Sequence, residues 1–332
     1  MRNSCIIGLL LWGVLVFADP AQSDFFVIGT GEKVGTPIHG LPYTISQPGM
    51  YYLTGNRSTT GHGITVKTSH VTIDLMGYTI TGPGMATPQY GIFVDQAQMV
   101  EVRNGWVRNF SHGFYSQNDD EWQGHRLIHL KITDTGYGAN LSGIGNMVIH
   151  CQIMDNGYGV IGSNGTVFKH NVFSGNTVMG LSAGGGSLVK GNTIQGNSFG
   201  IMIALESLVL HNTVTGNDIG IKAEQSFVLD NTITENDTAS EKTGLVLKEY
   251  NLAAGNLVSG NTTYNIRVQS DQNPPVGGNA IKDNVMTGAT GYGLYFETTG
   301  NFYDTNKATA NSGGNFRNTT GNTSGGGNWG GF

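Results

Sequence analysis

Cysteine, charge and long apolar runs are all scarce in this sequence. Two cysteines occur in 332 residues, and Cys5 falls in a leader-like segment. Cys151 is then left alone, which excludes an intrachain disulfide and leaves packing to supply stability. Charged residues make up 12 % of the chain, against a usual share of roughly 25 %. That excludes a coiled coil, a helical bundle and a charge-driven disordered chain. No basic excess exists: without Arg2, 16 bases stand against 23 acids. A mildly acidic chain is a poor general partner for nucleic acid or anionic membrane. Beyond residues 5–17 no apolar run approaches membrane-spanning length.

What is abundant is glycine, with 52 residues, about 16 % against a usual 7 % or so. It has no three-residue period, so collagen is excluded. The N-terminus reads as a secretory signal over residues 1–18, with cleavage as late as residue 23. The expected location is therefore secreted, periplasmic or at the cell surface.

Self-similarity dominates the rest. Asn171-Val172-Phe173-Ser174-Gly175-Asn176 is followed by Gly180-Leu181. The unit recurs from Asn192, Asn212 and Asn231. A Gly-apolar pair runs through Gly63-Ile64, Gly91-Ile92, Gly113-Phe114, Gly138-Ala139, Gly159-Val160, Gly180-Leu181, Gly200-Ile201, Gly220-Ile221 and Gly244-Leu245. Asn265-Ile266 and Gly293-Leu294 continue it, giving eleven turns at spacings of 20 to 28 residues. A leucine-rich repeat would need a leucine consensus, whereas these units carry Val, Ile, Thr, Asn and Gly. Runs such as Thr213-Val214-Thr215 alternate as strands do. Each turn reads as two or three short strands with Asn and Gly at tight corners. Stacked asparagines can bond along the coil as a ladder of amides.

The unit Asn-x-Ile-x-Gly-Asn-x-x-Gly-Ile resembles the repeat of right-handed parallel β-helix proteins. These include the NosD-like periplasmic proteins and the carbohydrate-binding and sugar-hydrolase β-helix group. Residues 45–54 and 71–80 are similar to the opening segments of that group, and the resemblance spans roughly residues 43–297. It implies an all-β, single-stranded right-handed parallel β-helix of about eleven turns, and it leaves activity open. The expected layout is a lead-in over 24–45, the β-helix over 46–298, and a Gly/Asn/Thr-rich tail or cap over 299–332. Tyr90-Gly91-Ile92-Phe93-Val94-Asp95 is similar to the Tyr-Gly-Phe-Asp-Pro-His element of uronan epimerases but lacks its Pro-His. Of the polygalacturonase-like elements, Asp119-Asp120 and Gly124-His125 occur, crowded into one loop.

The candidate site lies on the early turns. Residues just before the column glycine are often aromatic: His62, Tyr90, His112, Tyr137 and Tyr158, with Tyr292 near the end. Strand alternation turns Phe93 and Tyr115 to the same side. Tyr90, Phe93, Asp95, His112, Tyr115, Tyr137 and Tyr158 are thus candidate sugar-binding residues, since flat rings suit the apolar faces of sugars. The alternative is a stack that only seals a corner. Insertions fall near residues 82–89, 116–126, 237–242 and 269–279, where solenoids often carry binding loops. The second gathers Asp119, Asp120, Glu121, His125 and Arg126, the candidate catalytic set. Paired carboxylates serve glycoside cleavage, and a base can start β-elimination. The same acids could hold Ca²⁺, the one cofactor the sequence suggests, or simply be solvated. A histidine column, His129, His150 and His170, has rings that should stack without converging on an ion. The expected partner is a carbohydrate polymer, with lyase, epimerase or hydrolase chemistry open; the other reading is a non-catalytic surface or matrix rod.

Overall fold

Each winding of the chain is built from short β-branched runs that end at residues able to turn. One complete turn shows the rule. Tyr158–Gly162 is followed by Val167–Lys169, then Val172–Ser174, before Met179–Ala183 begins the next turn. His170, with φ 54°, breaks the second leg from the third, and Gly175, with φ 65°, breaks the third from the next. Left-handed backbone of this kind is open to Gly and tolerated by Asn, Asp and His. The histidine column of the sequence is therefore a column of corners: His129, His150, His170 and His211 all have positive φ.

The computed structural model describes residues 35–117, 123–237 and 242–331. The signal segment 1–18 and the first half of the lead-in, residues 24–34, lie outside them. The described chain is a right-handed parallel β-helix, with every strand pairing parallel. A thirteen-stranded sheet runs from Tyr43–Ile45 to Gly314–Arg317. The other two legs of each turn form a twenty-five-stranded sheet. Its two ranks join where Val100–Arg108 and Arg126–Thr133 run through the corner as single strands. Thirteen turns replace the expected eleven. The two additional strands are the terminal ones, where Pro42 and Asn315 occupy the place of the column glycine. Winding also continues through the C-terminal segment, with Phe302–Asp304 and Lys307–Thr309 stacked on the preceding turn.

Packing explains the glycines. A Cβ on Gly159 would lie 2.1 Å from the carbonyl oxygen of Gly180, and one on Gly63 would lie 2.3 Å from that of Gly91. The adjacent column points inward: Ile92, Phe114, Ala139, Val160, Leu181, Ile201, Ile221 and Leu245 are all buried. Full burial of such side chains contributes about 1.5–3 kcal/mol each for the larger ones.

Three polar ladders seal the corners. In one, Asn176, Asn197, Asn217, Asn236 and Asn261 pass amide hydrogen bonds at 2.9–3.0 Å. Each Oδ1 also accepts the backbone N–H of the previous rung, as Asn197 does from Asn176 at 3.0 Å. A second ladder links Asn171, Asn192, Asn212, Asn231, Asn256, Asn284, Asn306 and Asn328. Cys151 tops it: its thiol donates to the Leu127 and Ile149 carbonyls, and its N–H bonds to Asn171. A third begins with Thr166, Ser187 and Ser207 and changes to Asn251, Asn279 and Asn301.

The first ladder contains one irregularity. Ala289 stands where an asparagine belongs, and Asn265 stands where the column glycine belongs. The Asn265 side chain fills the gap, accepting from Asn261 at 2.8 Å and donating to Asn311 at 2.9 Å.

Asn197→Ala should lower stability by about 3 kcal/mol, because two buried donors of Asn176 lose their acceptor. Urea unfolding checks this. Asn265→Gly should also destabilise, and adding Ala289→Asn should recover most of the loss. Burial pushes the Cys151 thiol up to about 12. Maleimide should therefore leave Cys151 unlabelled in the folded protein at pH 8 and label it on unfolding.

Candidate functional site

Parallel register turns a sequence pattern into a surface. In the strand Tyr90–Asp95, Gly91, Ile92 and Val94 are buried while Tyr90, Phe93 and Asp95 stand on the outer side. The strand His112–Gln117 repeats the pattern, aligning His112 with Tyr90, Tyr115 with Phe93 and Gln117 with Asp95. Tyr137 and Tyr158 extend the first column.

The result is a continuous aromatic strip over five turns of the thirteen-stranded sheet. His62 stacks on Tyr90 with ring centres 4.9 Å apart, and Tyr90 meets His112 edge-on at 5.2 Å. His112 and Tyr137 are 4.5 Å apart, and Tyr137 and Tyr158 4.6 Å, both pairs stacked with nearly parallel rings. In the second column Phe93 and Tyr115 lie 5.9 Å apart, and Tyr115 closes on Tyr90 at 4.7 Å. All seven rings are half-buried. At one margin Asp95 pairs with Lys67 at 3.8 Å.

The two histidines of the strip are neutral. Ser111 Oγ donates to the Gln89 carbonyl at 2.9 Å, so it accepts from His112 Nδ1–H at 3.1 Å. Burial pushes the His112 imidazole down to about 4. The His62 Nδ1 accepts the Tyr90 N–H at 3.1 Å, and burial lowers its pKa too. No charge is thus placed among the stacked rings at neutral pH. By contrast the hydroxyls of Tyr90, Tyr115, Tyr137 and Tyr158 make no hydrogen bond within the described residues.

Of the candidate catalytic set, only His125 and Arg126 fall among the described residues, and neither stands on the strip. Asp119, Asp120 and Glu121 lie outside the described residues. His125 is fully buried at a corner, where Nδ1 accepts from Val100 N–H and its own N–H bonds to Asn146. Its ring meets Phe114 edge-on, and burial pushes it down to about 4. It plugs the corner, its Nε2 buried and without a hydrogen-bond partner among the described residues. Arg126 belongs to the other sheet, where it pairs with Glu101 at 3.6 Å. The chain turns a corner between Gln117 and Arg126, so closeness in sequence becomes separation onto two faces. Among the seven candidate binding residues the picture differs: the six rings converge, with Asp95 beside them. Sequence reasoning places His62 in the column without naming it a site residue. It misses the roles of Ser111 and Lys67, and also a group at the far end, Tyr264 and Tyr295, which lacks a run of aromatic neighbours.

Residues 43–237 match the family model described as periplasmic copper-binding protein (NosD). That span is more than half of the chain, and the protein belongs to the NosD family. No curated protein matches the sequence. Among solved structures, the periplasmic alginate epimerase AlgG is 18 % identical, with a TM-score of 0.62 over 79 % of this chain and 75 % of that one. The A-module of mannuronan C-5 epimerase AlgE6 from Azotobacter vinelandii is 15 % identical, with a TM-score of 0.63 over 87 % and 91 %. The catalytic unit of an α-1,3-glucanase from Streptomyces thermodiastaticus is 16 % identical, with a TM-score of 0.60 over 89 % and 60 %. At these identities the likeness is one of fold.

The family description names copper, and the described donors do not fit it. The rings of His129, His150 and His170 stack side by side at 5.2 and 5.3 Å and do not converge on a point. The Cys151 thiol is buried and bonded to carbonyls. Among the described residues no three His, Cys, Asp or Glu side chains come together as a metal cage.

The two low histidine values have a pH consequence. Between about 6.5, the value in an unfolded chain, and about 4, unfolded chains bind protons that folded His112 and His125 refuse. Stability should therefore fall as pH drops through that window and level off below it. Ring C–H resonances of both residues should remain those of neutral imidazole at pH 5.5; protonated shifts there would contradict the geometry.

Proposed function

We propose that this protein binds an extended carbohydrate polymer along the aromatic strip, outside the cytoplasm. The observation that carries the reading is the strip itself: half-buried rings in two columns, uncharged, with phenol hydroxyls that make no hydrogen bond among the described residues. Ring faces suit the apolar C–H faces of pyranoses, and the hydroxyls can bond sugar hydroxyls. Stacking along the sheet repeats the same chemistry once per turn, as a polymer repeats its units. Support for an extracytoplasmic location comes from the apolar run at residues 5–17 and from the family's description as periplasmic. The fold neighbours named as alginate epimerase and α-1,3-glucanase act on sugar polymers, which fits the same reading. Chemistry on the polymer would fall to the acids at 119–121, with Ca²⁺ as their candidate ion. His125 and Arg126 are not part of that proposal.

Affinity electrophoresis against neutral and uronic polysaccharides, with and without Ca²⁺, tests it. At least one polymer should retard the protein. Tyr90→Ala and Tyr137→Ala should each weaken retention about tenfold, close to 1.4 kcal/mol per ring. Asp119→Ala with Asp120→Ala should leave retention intact. New reducing ends or unsaturated products, lost in that double variant, would add an enzymatic activity. Equal mobility of wild type and Tyr variants in every gel would discard the strip as a sugar site.

A further inference from the structure

The second leg of each turn presents an outward face that is apolar over most of its length. One outward column runs from Met147 to Phe302 and holds Leu188, Leu208, Phe227 and Leu252 at its centre. The column beside it holds Leu210, Leu229 and Ala254 on the turns of Leu208, Phe227 and Leu252. None of these side chains is buried. Phe227 is 46 % exposed, and Leu205 and Tyr250, at the corners that lead into the strands of Leu208 and Leu252, are 50 % and 59 % exposed. Lys169 and Lys190 stand at one end of the second column and Lys282 at the other, without ion pairs among the described residues.

The third leg shows the contrast. Over the same turns its outward columns read Thr193, Thr213 and Thr232, and Gln195, Thr215 and Thr234. Exposed apolar residues scattered singly need no explanation, but a contiguous patch marks an interaction surface. Eight strands, from Met147–Ile149 to Phe302–Asp304, make the face roughly 34 Å long at about 4.8 Å per step. The run from Leu205 to Leu210 gives it a width of roughly 16 Å at about 3.3 Å per residue. Two such faces pressed together cover roughly 1,100 Å², above the ~1,000 Å² that a specific interface needs.

We propose that this face joins two copies of the chain, second leg on second leg, in a two-fold dimer. Rows of side chains on the face recur at the strand spacing, about 4.8 Å. A partner must carry ridges of the same pitch to interlock with them, and a second copy of the face does so along its whole length. The contact is then isologous: the same patch is used on both sides, and the pair closes without recruiting a third chain. Apolar side chains fill its middle and lysines stand at its ends, the usual order of core and rim. The aromatic strip stands on the first leg of its turns, so pairing leaves it open in both copies. The inference does not depend on the carbohydrate reading of that strip.

Sedimentation equilibrium of the full protein, from about 1 to 100 µM, tests the assembly. Wild type should approach twice the chain mass, and added salt should not lower it, because the contact is apolar. Phe227→Asp should weaken self-association at least tenfold. Thr213→Asp, at an exposed position on the third leg, should leave it unchanged. Urea midpoints show whether each variant is folded, and Leu208→Gln with Leu252→Gln replaces Phe227→Asp if that variant fails to fold. Wild type that stays monomeric across the range would overturn the proposal, as would a dimer that survives the substitutions on the face. Monomers that sediment instead with phosphatidylglycerol vesicles would also overturn it, since the face would then belong to a lipid surface.

Discussion

Hydrogen bonds that run from one winding to the next hold this protein together. Backbone pairing supplies the bulk of them, but the corners would fail without the side-chain ladders. Each corner buries polar backbone where no strand partner is available, and a buried unpaired donor costs about 1–3 kcal/mol. An asparagine at the corner accepts from the rung behind and donates to the rung ahead, as Asn197 does between Asn176 and Asn217. An amide, with its carbonyl oxygen and two N–H groups, does both at once. Where the chain departs from Asn, the replacement still serves the corner backbone. Ser187 accepts from the Thr166 N–H and donates to the Gly184 carbonyl, Cys151 donates and His125 accepts.

This constraint also makes the candidate site. Because neighbouring turns are held in register, a residue repeated every 20-odd positions becomes a column, and a preference for aromatics becomes a flat strip. Rigidity of the sheet then fixes ring spacing close to the strand spacing, as at Tyr137 and Tyr158. Burial in the same strip keeps His62 and His112 neutral. Packing, register and electrostatics thus agree on a surface that is apolar in body and hydroxyl-bearing at its edges.

Much of this is legible in the sequence, because the repeat is its own alignment. The Gly-apolar pairs locate eleven strands of the main sheet, and the residues flanking them locate the strip. The two strands not located that way are terminal. A column glycine faces the carbonyl of the following turn, as Gly293 faces that of Asn315, and no described strand of this sheet follows Asn315, so a side chain is tolerated there. The acidic loop is harder to read. Its residues are consecutive in the chain, yet the corner sends Gln117 and Arg126 to different sheets and sinks His125 between them. Local sequence carries no signal for that divergence, which depends on where the winding bends.

A chain made of near-identical windings faces a particular hazard: any winding could dock on the wrong neighbour and leave one looped out. Most rungs are interchangeable and give no protection. The exchange of Asn265 and Ala289 is different, because a side chain in the glycine column fits only opposite a winding that has surrendered its own amide. That pair works as a notch and tooth, admitting one phase of assembly and rejecting those displaced by a whole repeat.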